Sequence, residues 1–266
     1  MTVVDTVGAL VAAFAPRAVR TSAIELAASQ LGIDANHVRV ALSRLRARGK
    51  IVAEERGLYR LSEAVQLRQT ALGSWRERLS RIVPWTGAYY AALTSWLPKS
   101  DRRAARSRAR ALDRLGFKEH HPGVAVRPAN LDLSLEDMTA LMRRLGFDDD
   151  GDVLVARELS FDPRPAWTEQ PDYRARVVQL ETGLAEMKAD PSADAAVQAF
   201  RLANGFIWDA IHDPLLPDEW VDAQGRAAFW RALVEYDRFG RTLWKTHVWS
   251  TALGKEAVDA EVLATS

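Results

Sequence analysis

Residues 34–50 read Asp34-Ala35-Asn36-His37-Val38-Arg39-Val40-Ala41-Leu42-Ser43-Arg44-Leu45-Arg46-Ala47-Arg48-Gly49-Lys50, and they decide the fold of the N-terminal segment. Val38, Ala41, Leu42 and Leu45 stand at i, i+3, i+4 and i+7, the spacing of one helical face, so these four point to a core. Asp34 is placed to cap the helix, because its carboxylate can accept from the backbone N–H groups that open the first turn. Gly49 is placed to close it, since glycine enters the left-handed region without a Cβ clash. Asn36, His37, Arg39, Val40, Ser43, Arg44 and Ala47 are left facing outward. Asn, Arg and Ser carry donors and acceptors that match base edges in a DNA major groove. The N-terminal half of a recognition helix does most of the reading, which makes Asn36, His37, Arg39 and Ser43 candidate base contacts. Arg44, Arg46, Arg48 and Lys50 suit phosphates, which position a protein on DNA without specifying sequence.

The flanks agree with that reading. Val3, Val4, Val7, Leu10, Val11 and Phe14 form a helical stripe that Pro16 ends. Thr21 or Ser22 can cap a second helix, with Glu25 spaced for a capping box from Ser22. Ile24, Leu26, Ala27 and Ala28 lead into Leu31-Gly32-Ile33, where Gly32 permits the tight turn between two short helices. Beyond the basic helix, residues 51–55 and 58–61 alternate around Gly57 as a hairpin, the wing, with Arg56 and Arg60 near a DNA backbone or minor groove. A lone basic helix is a common solvated face. The order helix, capped helix, glycine turn, basic capped helix, hairpin is the stronger signal. It predicts a winged helix-turn-helix over residues 22–61, with a protein-binding winged helix as the alternative.

Charge supports a polyanionic partner. The net charge of the 266 residues is +1, yet residues 1–127 hold 22 Lys or Arg against 10 Asp or Glu, and residues 128–266 hold 14 against 25. Such polarity is expected of a chain whose N-terminal half faces DNA. The chain has no cysteine, which removes disulfides, thiolate metal sites and thiol nucleophiles together. No apolar run reaches a membrane-spanning length of about 18 residues and the start lacks a signal-peptide pattern, so a cytoplasmic protein without a membrane partner is expected.

The composition divides the chain into 1–70, the winged helix-turn-helix; 71–165, a mixed α/β block; and 166–266, a helical block. In the middle block, residues 82–93, 124–127 and 153–159 suit strands and 101–115 and 135–145 suit helices. A further strand near Phe117 would complete a β-α-β-β-α-β order. A helix drawn from Lys99 to Arg114 carries Arg102, Arg103, Arg106, Arg108, Arg110 and Arg114. Arg103, Arg106 and Arg110 share a face with Arg114, and are candidates for a phosphate clamp on an effector or a second DNA contact. A solvated face, or pairing with the acidic C-terminal half, is the alternative. Adjacent His120 and His121 rarely converge on one metal and read as structural. The run Asp148-Asp149-Asp150-Gly151-Asp152 lacks the glutamate that a calcium loop needs at its twelfth position, since Leu159 stands there. The last block holds eight Trp or Tyr residues beyond residue 160, which imply a helical core with aromatic anchors or a ring-lined pocket. Trp208, Trp220 and Trp230 are the effector-pocket candidates on that composition.

At Val38-Arg39-Val40-Ala41-Leu42-Ser43-Arg44-Leu45 the sequence resembles the PaaX-type repressors of phenylacetate degradation, which carry a similar V-R-x-A-L-S-R-L run followed by a glycine and a wing. Trp85-Thr86-Gly87 is similar to a W-x-G that opens a strand of that family's central domain. Asp213-Pro214-Leu215-Leu216-Pro217-Asp218-Glu219-Trp220 is similar to its C-terminal D-P-x-L-P element. The three stand in the family's order, while the wing is shorter and less basic than usual and the C-terminal element is compressed between Pro217 and Trp220. The resemblance implies a predominantly helical α+β protein: a winged helix-turn-helix, a central ferredoxin-like domain similar to the spacer-acquisition nuclease of CRISPR systems, and a helical C-terminal domain for effector binding and dimerisation. It further implies a homodimeric repressor of an aromatic-compound catabolic operon, bound to a double-stranded operator and released by an aromatic acyl-CoA such as phenylacetyl-CoA, with no cofactor.

Two other functions compete with a ligand-responsive repressor. A metal-dependent nuclease of the central fold would need a carboxylate at the end of its first strand. Ala91-Ala92-Leu93-Thr94-Ser95 offers none, so no enzyme and no metal site is expected. An architectural DNA-binding protein without an effector is the other.

Overall fold

In the computed structural model of the chain, residues 2–69, 73–98, 100–168 and 171–250 are described. The Lys99 start of the expected basic helix and residues 251–266 of the expected C-terminal block lie outside them. The fold is mixed α+β with two small antiparallel sheets among the described residues. The chain forms two compact units, one from Met1–Leu67, Val178–Phe206 and Ala232–Ser266, the other from Arg68–Val177 and Ile207–Arg231. The segment read as one C-terminal block thus contributes residues to both.

The first unit starts with α1 (Val3–Ala12), whose Thr2 and Asp5 form a reciprocal capping box. A two-residue strand, β1 (Val19–Arg20), leads directly into α2 (Thr21–Gln30). The expected capping box from Ser22 is not formed, and α2 has no side-chain cap. The helix begins two residues earlier than a Ser22 cap would place it because β1 pairs with the hairpin, and Gly57 O accepts from both Thr21 N at 2.8 Å and Thr21 Oγ1 at 3.1 Å. Gly32, at φ +77°, turns the chain into α3 (Ala35–Ala47). Hairpin strands β2 (Ile51–Glu55) and β3 (Leu58–Leu61) follow, and α4 (Glu63–Gln69) continues the chain. The sheet order is β1-β3-β2. Val7, Leu10, Val11, Ile24, Ala27, Val38, Ala41, Leu42, Leu45 and Ile51 are buried together. Each large aliphatic chain among them contributes roughly 1.5–3 kcal/mol of burial. Residues 178–206 and 232–250 belong to α7 (Tyr173–Ala189), α8 (Ala193–His212), α9 (Ala223–Trp244) and a π turn, Lys245–Trp249. Phe14 meets Trp249 edge to face at 4.5 Å, and Phe200 stacks on Trp244 at 4.8 Å.

The second unit runs β4 (Tyr89–Leu93), α5 (Arg102–Arg114), β5 (Lys118–His121), β6 (Val124–Pro128), α6 (Leu135–Leu145) and β7 (Asp152–Ala156). The strands order as β5-β6-β4-β7, all neighbours antiparallel. The side chains of β4 alternate between two cores, as period-2 geometry requires. Tyr90 and Ala92 join Ala111, Leu115, Met138, Leu141 and Met142 of α5 and α6. Ala91 and Val126, paired across β4 and β6, join Trp167 and Leu216 on the opposite face. Among the described residues no helix is long and apolar enough to cross a membrane.

Candidate nucleic-acid interface

The α3 helix sorts its residues as its sequence period requires. Val38, Ala41, Leu42 and Leu45 are at most 2% exposed. Asn36, His37, Arg39, Val40, Ser43, Arg44, Arg46, Ala47, Arg48 and Lys50 are all exposed. Asp34 caps the helix, accepting from His37 N at 3.0 Å, and its second oxygen meets His37 Nδ1. These donors, backbone first and imidazole second, hold the Asp34 carboxyl below its ordinary range. His37 is therefore tied to the cap at the end of the helix where base reading is expected.

Arg39 is engaged. Its Nε lies 2.8 Å from Glu25 Oε1 of α2, a pair in which Glu25 is mostly covered and Arg39 mostly open. Arg44, Arg46, Arg48, Lys50 and Arg56 have no ion-pair partner among the described residues. Arg60 is half-buried, pairs with Glu54 across the hairpin, and donates to Leu61 O at 3.3 Å. Its charge is thus neutralised within the hairpin, whereas Arg56 at the hairpin tip is exposed. A concavity of about 280 Å³ runs along the outer face of α3, lined by Val3, Val4, His37, Val40 and Arg44 among others. The arrangement presents donors and unneutralised cations on one side, chemistry suited to a phosphate backbone and base edges.

In the second unit Asp101 caps α5 through the N–H groups of Arg103 and Ala104, at 2.9 and 3.0 Å. Arg108 pairs with Asp148 at 2.9 Å, which gives the acidic run a structural partner. Arg102, Arg103, Arg106 and Arg110 are exposed, without a carboxylate partner among the described residues. His120 stacks on Phe161 at 3.5 Å, with His121 edge-on to His120 at 4.4 Å.

The three tryptophans named for a pocket occupy three surroundings. Trp208 is 63% exposed and lies against His212 at 4.0 Å. Trp220 joins Trp85 at 4.8 Å and Trp167 at 5.9 Å in an aromatic layer over β4. Trp230 is buried, its indole N–H donating to Trp75 O at 2.9 Å.

Residues 213–220, singled out in the sequence, are gripped by buried arginines. Arg78 donates to Asp213 O at 3.0 Å and also to Ile211 O; Arg226 donates to Leu216 O at 2.8 Å and to Asp218 Oδ1 at 2.6 Å. Arg127, 1% exposed, bonds Pro128 O, Leu115 O and Asn130 Oδ1, and Asn130 Nδ2 donates to Leu215 O at 2.8 Å. Burial, reinforced by the nearby Arg78 charge, lowers Arg127 to about 9, and burial lowers Arg78 to about 10, so both remain protonated at neutral pH. Sequence reasoning missed all three, because nothing in spacing separates an inward arginine from an outward one. Among the described residues no group of three His, Asp or Glu is placed to hold a metal ion.

Residues 4–65 match the PaaX-like protein family. The matched PaaX-like segment runs from α1 into α4 and includes the whole of α3 and the hairpin. Trp85-Thr86-Gly87 and residues 213–220 lie outside it. No curated protein matches the chain. A solved structure, that of an uncharacterized protein from Mycobacterium tuberculosis, is 24% identical over 91% of this chain and 97% of its own, with a TM-score of 0.46.

Proposed function

We infer that the chain is a DNA-binding transcription regulator whose PaaX-like segment is a winged helix-turn-helix. The observation that carries this is the outer face of α3, where Asn36, Ser43, Arg44 and Arg46 stand exposed on a helix fixed by its buried stripe and its Asp34 cap, with exposed Arg48 and Lys50 in the turn that follows it. Asn36, His37, Arg39 and Ser43 read bases; Arg44, Arg46, Arg48, Lys50 and Arg56 bind phosphates, and Arg60 holds the wing. Because Glu25 neutralises Arg39 in the free protein, Arg39 must exchange a carboxylate for a base or phosphate on binding.

The finer reading is a cytoplasmic homodimer that represses an aromatic-compound catabolic operon and is released by an aromatic acyl-CoA. The β-α-β-β-α-β order with strands β5-β6-β4-β7 favours a ferredoxin-like central domain. Exposed Arg103, Arg106 and Arg110 on α5, without a carboxylate partner among the described residues, supply a surface for the CoA phosphates, since guanidinium forks match phosphate oxygens. Release requires that the thioester bind the DNA-free arrangement more tightly than the DNA-bound one. A nuclease reading lacks its reagent, for no carboxylate stands between Tyr89 and Trp96.

Fluorescence anisotropy on DNA from upstream of the protein's own gene, at two salt concentrations and with or without phenylacetyl-CoA, tests the proposal. Salt-sensitive binding abolished by the thioester is expected. Binding indifferent to the thioester removes that effector, and no binding at low salt removes the regulator.

A further inference from the structure

A concavity of about 700 Å³ in the first unit lies where residues of α7, α8 and α9 meet. Glu186 and Asp190 line it from the end of α7 onward, Asp194 and Gln198 from α8, and Tyr236 from α9. None of these three carboxylates has an ion-pair partner among the described residues. The base in the lining is Arg201, whose guanidinium donates to Leu31 O at 3.4 Å. The free N–H groups at the start of α8 would ordinarily attract an anion. Here Ser192 Oγ accepts from Ala195 N at 3.2 Å and Asp194 brings negative charge to the same turn, so that attraction is already answered.

Acidic residues alone would be an ordinary solvated surface. The second observation is Tyr236, which is only 2% exposed yet lines the cleft and whose hydroxyl has no hydrogen-bond partner among the described residues. Gly183 makes room for it: a Cβ there would stand 3.0 Å from the Tyr236 ring and 3.4 Å from its hydroxyl. The buried ring thus presents its hydroxyl oxygen to the cleft, where it is open to a donor that enters. Burial and the Glu186 carboxylate push this phenol up to about 12, so it stays neutral and offers an oxygen lone pair. The Tyr236 ring, Met187, Ala195 and Leu202 supply an apolar floor beside the carboxylates.

We propose that this cleft binds a small organic ammonium ion with an apolar tail, and that Arg201 transmits its occupation to the DNA-binding segment. The ammonium's three N–H groups are shared between the Tyr236 oxygen and the nearest carboxylates of the lining, the remaining carboxylate acts through its charge alone, and the tail covers Met187 and Leu202. The lining repels the phosphates of a CoA thioester, so this site is separate from the arginine face of α5. Arg201 holds the carbonyl at the C-terminal cap of α2, one residue before the Gly32 turn into α3. A second cation bound beside that guanidinium changes its hold on the turn that aims the reading helix.

Calorimetric titration of the full chain with n-hexylamine, and with hexanoate as the matched anion, tests the binding. Hexylamine saturates one site and hexanoate does not bind. The Asp190→Asn/Asp194→Asn double variant, changed only at exposed positions, still melts cooperatively as a folded chain and binds hexylamine at least about tenfold more weakly, the loss expected for charge-assisted hydrogen bonds. No hexylamine binding, equal binding of hexanoate, or undiminished binding by the double variant would overturn the site. The transmission rests on the DNA-binding reading and is measured separately, by anisotropy against equal ammonium chloride. Hexylamine shifts the DNA midpoint at least twofold in the parent and not in Arg201→Met; no shift in the parent, or a shift that survives in Arg201→Met, overturns it. A chain that binds hexylamine but no DNA upholds the cleft and sinks the regulator, so the two failures are distinguishable.

Discussion

Glu25 and Arg39 set the electrostatics of α3 residue by residue. The pair joins a mostly covered carboxylate to an open guanidinium, and such partly exposed pairs are worth roughly 0.2–1 kcal/mol. Glu25→Gln therefore releases Arg39 and raises DNA affinity up to about fivefold at low salt, which anisotropy titration would detect; unchanged affinity would mean that Arg39 makes no contact with DNA. Asn36→Ala instead changes preference among operator sequences, because a bidentate base contact discriminates by about 1–3 kcal/mol, whereas Arg44→Ala weakens all sequences alike. Asp34 acts on stability. Its hydrogen bonds with His37 depress its pKa below the ordinary 3.8, so the carboxylate binds protons less readily folded than unfolded. Its contribution is present above 3.8 and is lost as the pH falls through the depressed value. Urea denaturation should place Asp34→Ala below the parent at pH 7 and bring the two together in strong acid.

Among the elements, those with a short sequence period were the legible ones. The α3 stripe, the Gly32 turn and the hairpin about Gly57 follow from local spacing, and the structure places each where the residues put it. Strand β1 was not legible, because two residues carry no period and Val19–Arg20 becomes a strand only by pairing with β3. The same pairing displaced the expected Ser22 cap. Distance in sequence hid the rest: Glu25 waits for Arg39, and Arg78 waits for a carbonyl 135 residues on. Residues 213–220, similar in sequence to an element of the resembled family, form a strut whose carbonyls satisfy inward arginines, a role that no local pattern announces. Its packing is tight at Gly116, which has φ +73° and where a Cβ would stand 2.8 Å from Pro214 Cβ and 2.9 Å from Pro214 Cα. Gly116→Ala thus combines a left-handed alanine, about 1–2 kcal/mol, with overpacking, about 1–3 kcal/mol, and a thermal melt should show a loss of about 2–5 kcal/mol. A variant melting with the parent would show that the strut can move away from this turn.

At the scale of the whole molecule, the charge split between residues 1–127 and 128–266 becomes a statement about counterions. Every lysine or arginine that neutralises a DNA phosphate releases condensed cations, so binding weakens with salt at a slope of about 0.9 per contact. Five cations of the PaaX-like segment, Arg44, Arg46, Arg48, Lys50 and Arg56, lack an ion-pair partner among the described residues, while Glu54 neutralises Arg60. A single segment on DNA should therefore give a slope of log affinity against log salt of about −4 to −5, and a dimer on two half-sites about twice that. The arginines of α5 decide what else contributes. If Arg103, Arg106 and Arg110 lie on DNA, changing all three to Ala flattens the slope by about 2 to 3 per protomer. If they hold CoA phosphates, the triple variant keeps the parent slope and loses its response to phenylacetyl-CoA. Measuring the slope before the thioester response separates the two roles, because a DNA contact acts without an effector and an effector contact leaves effector-free binding unchanged. A parent slope near −1 would leave the basic half without the polyanion that its charge requires, and would argue instead for a winged helix that docks on protein.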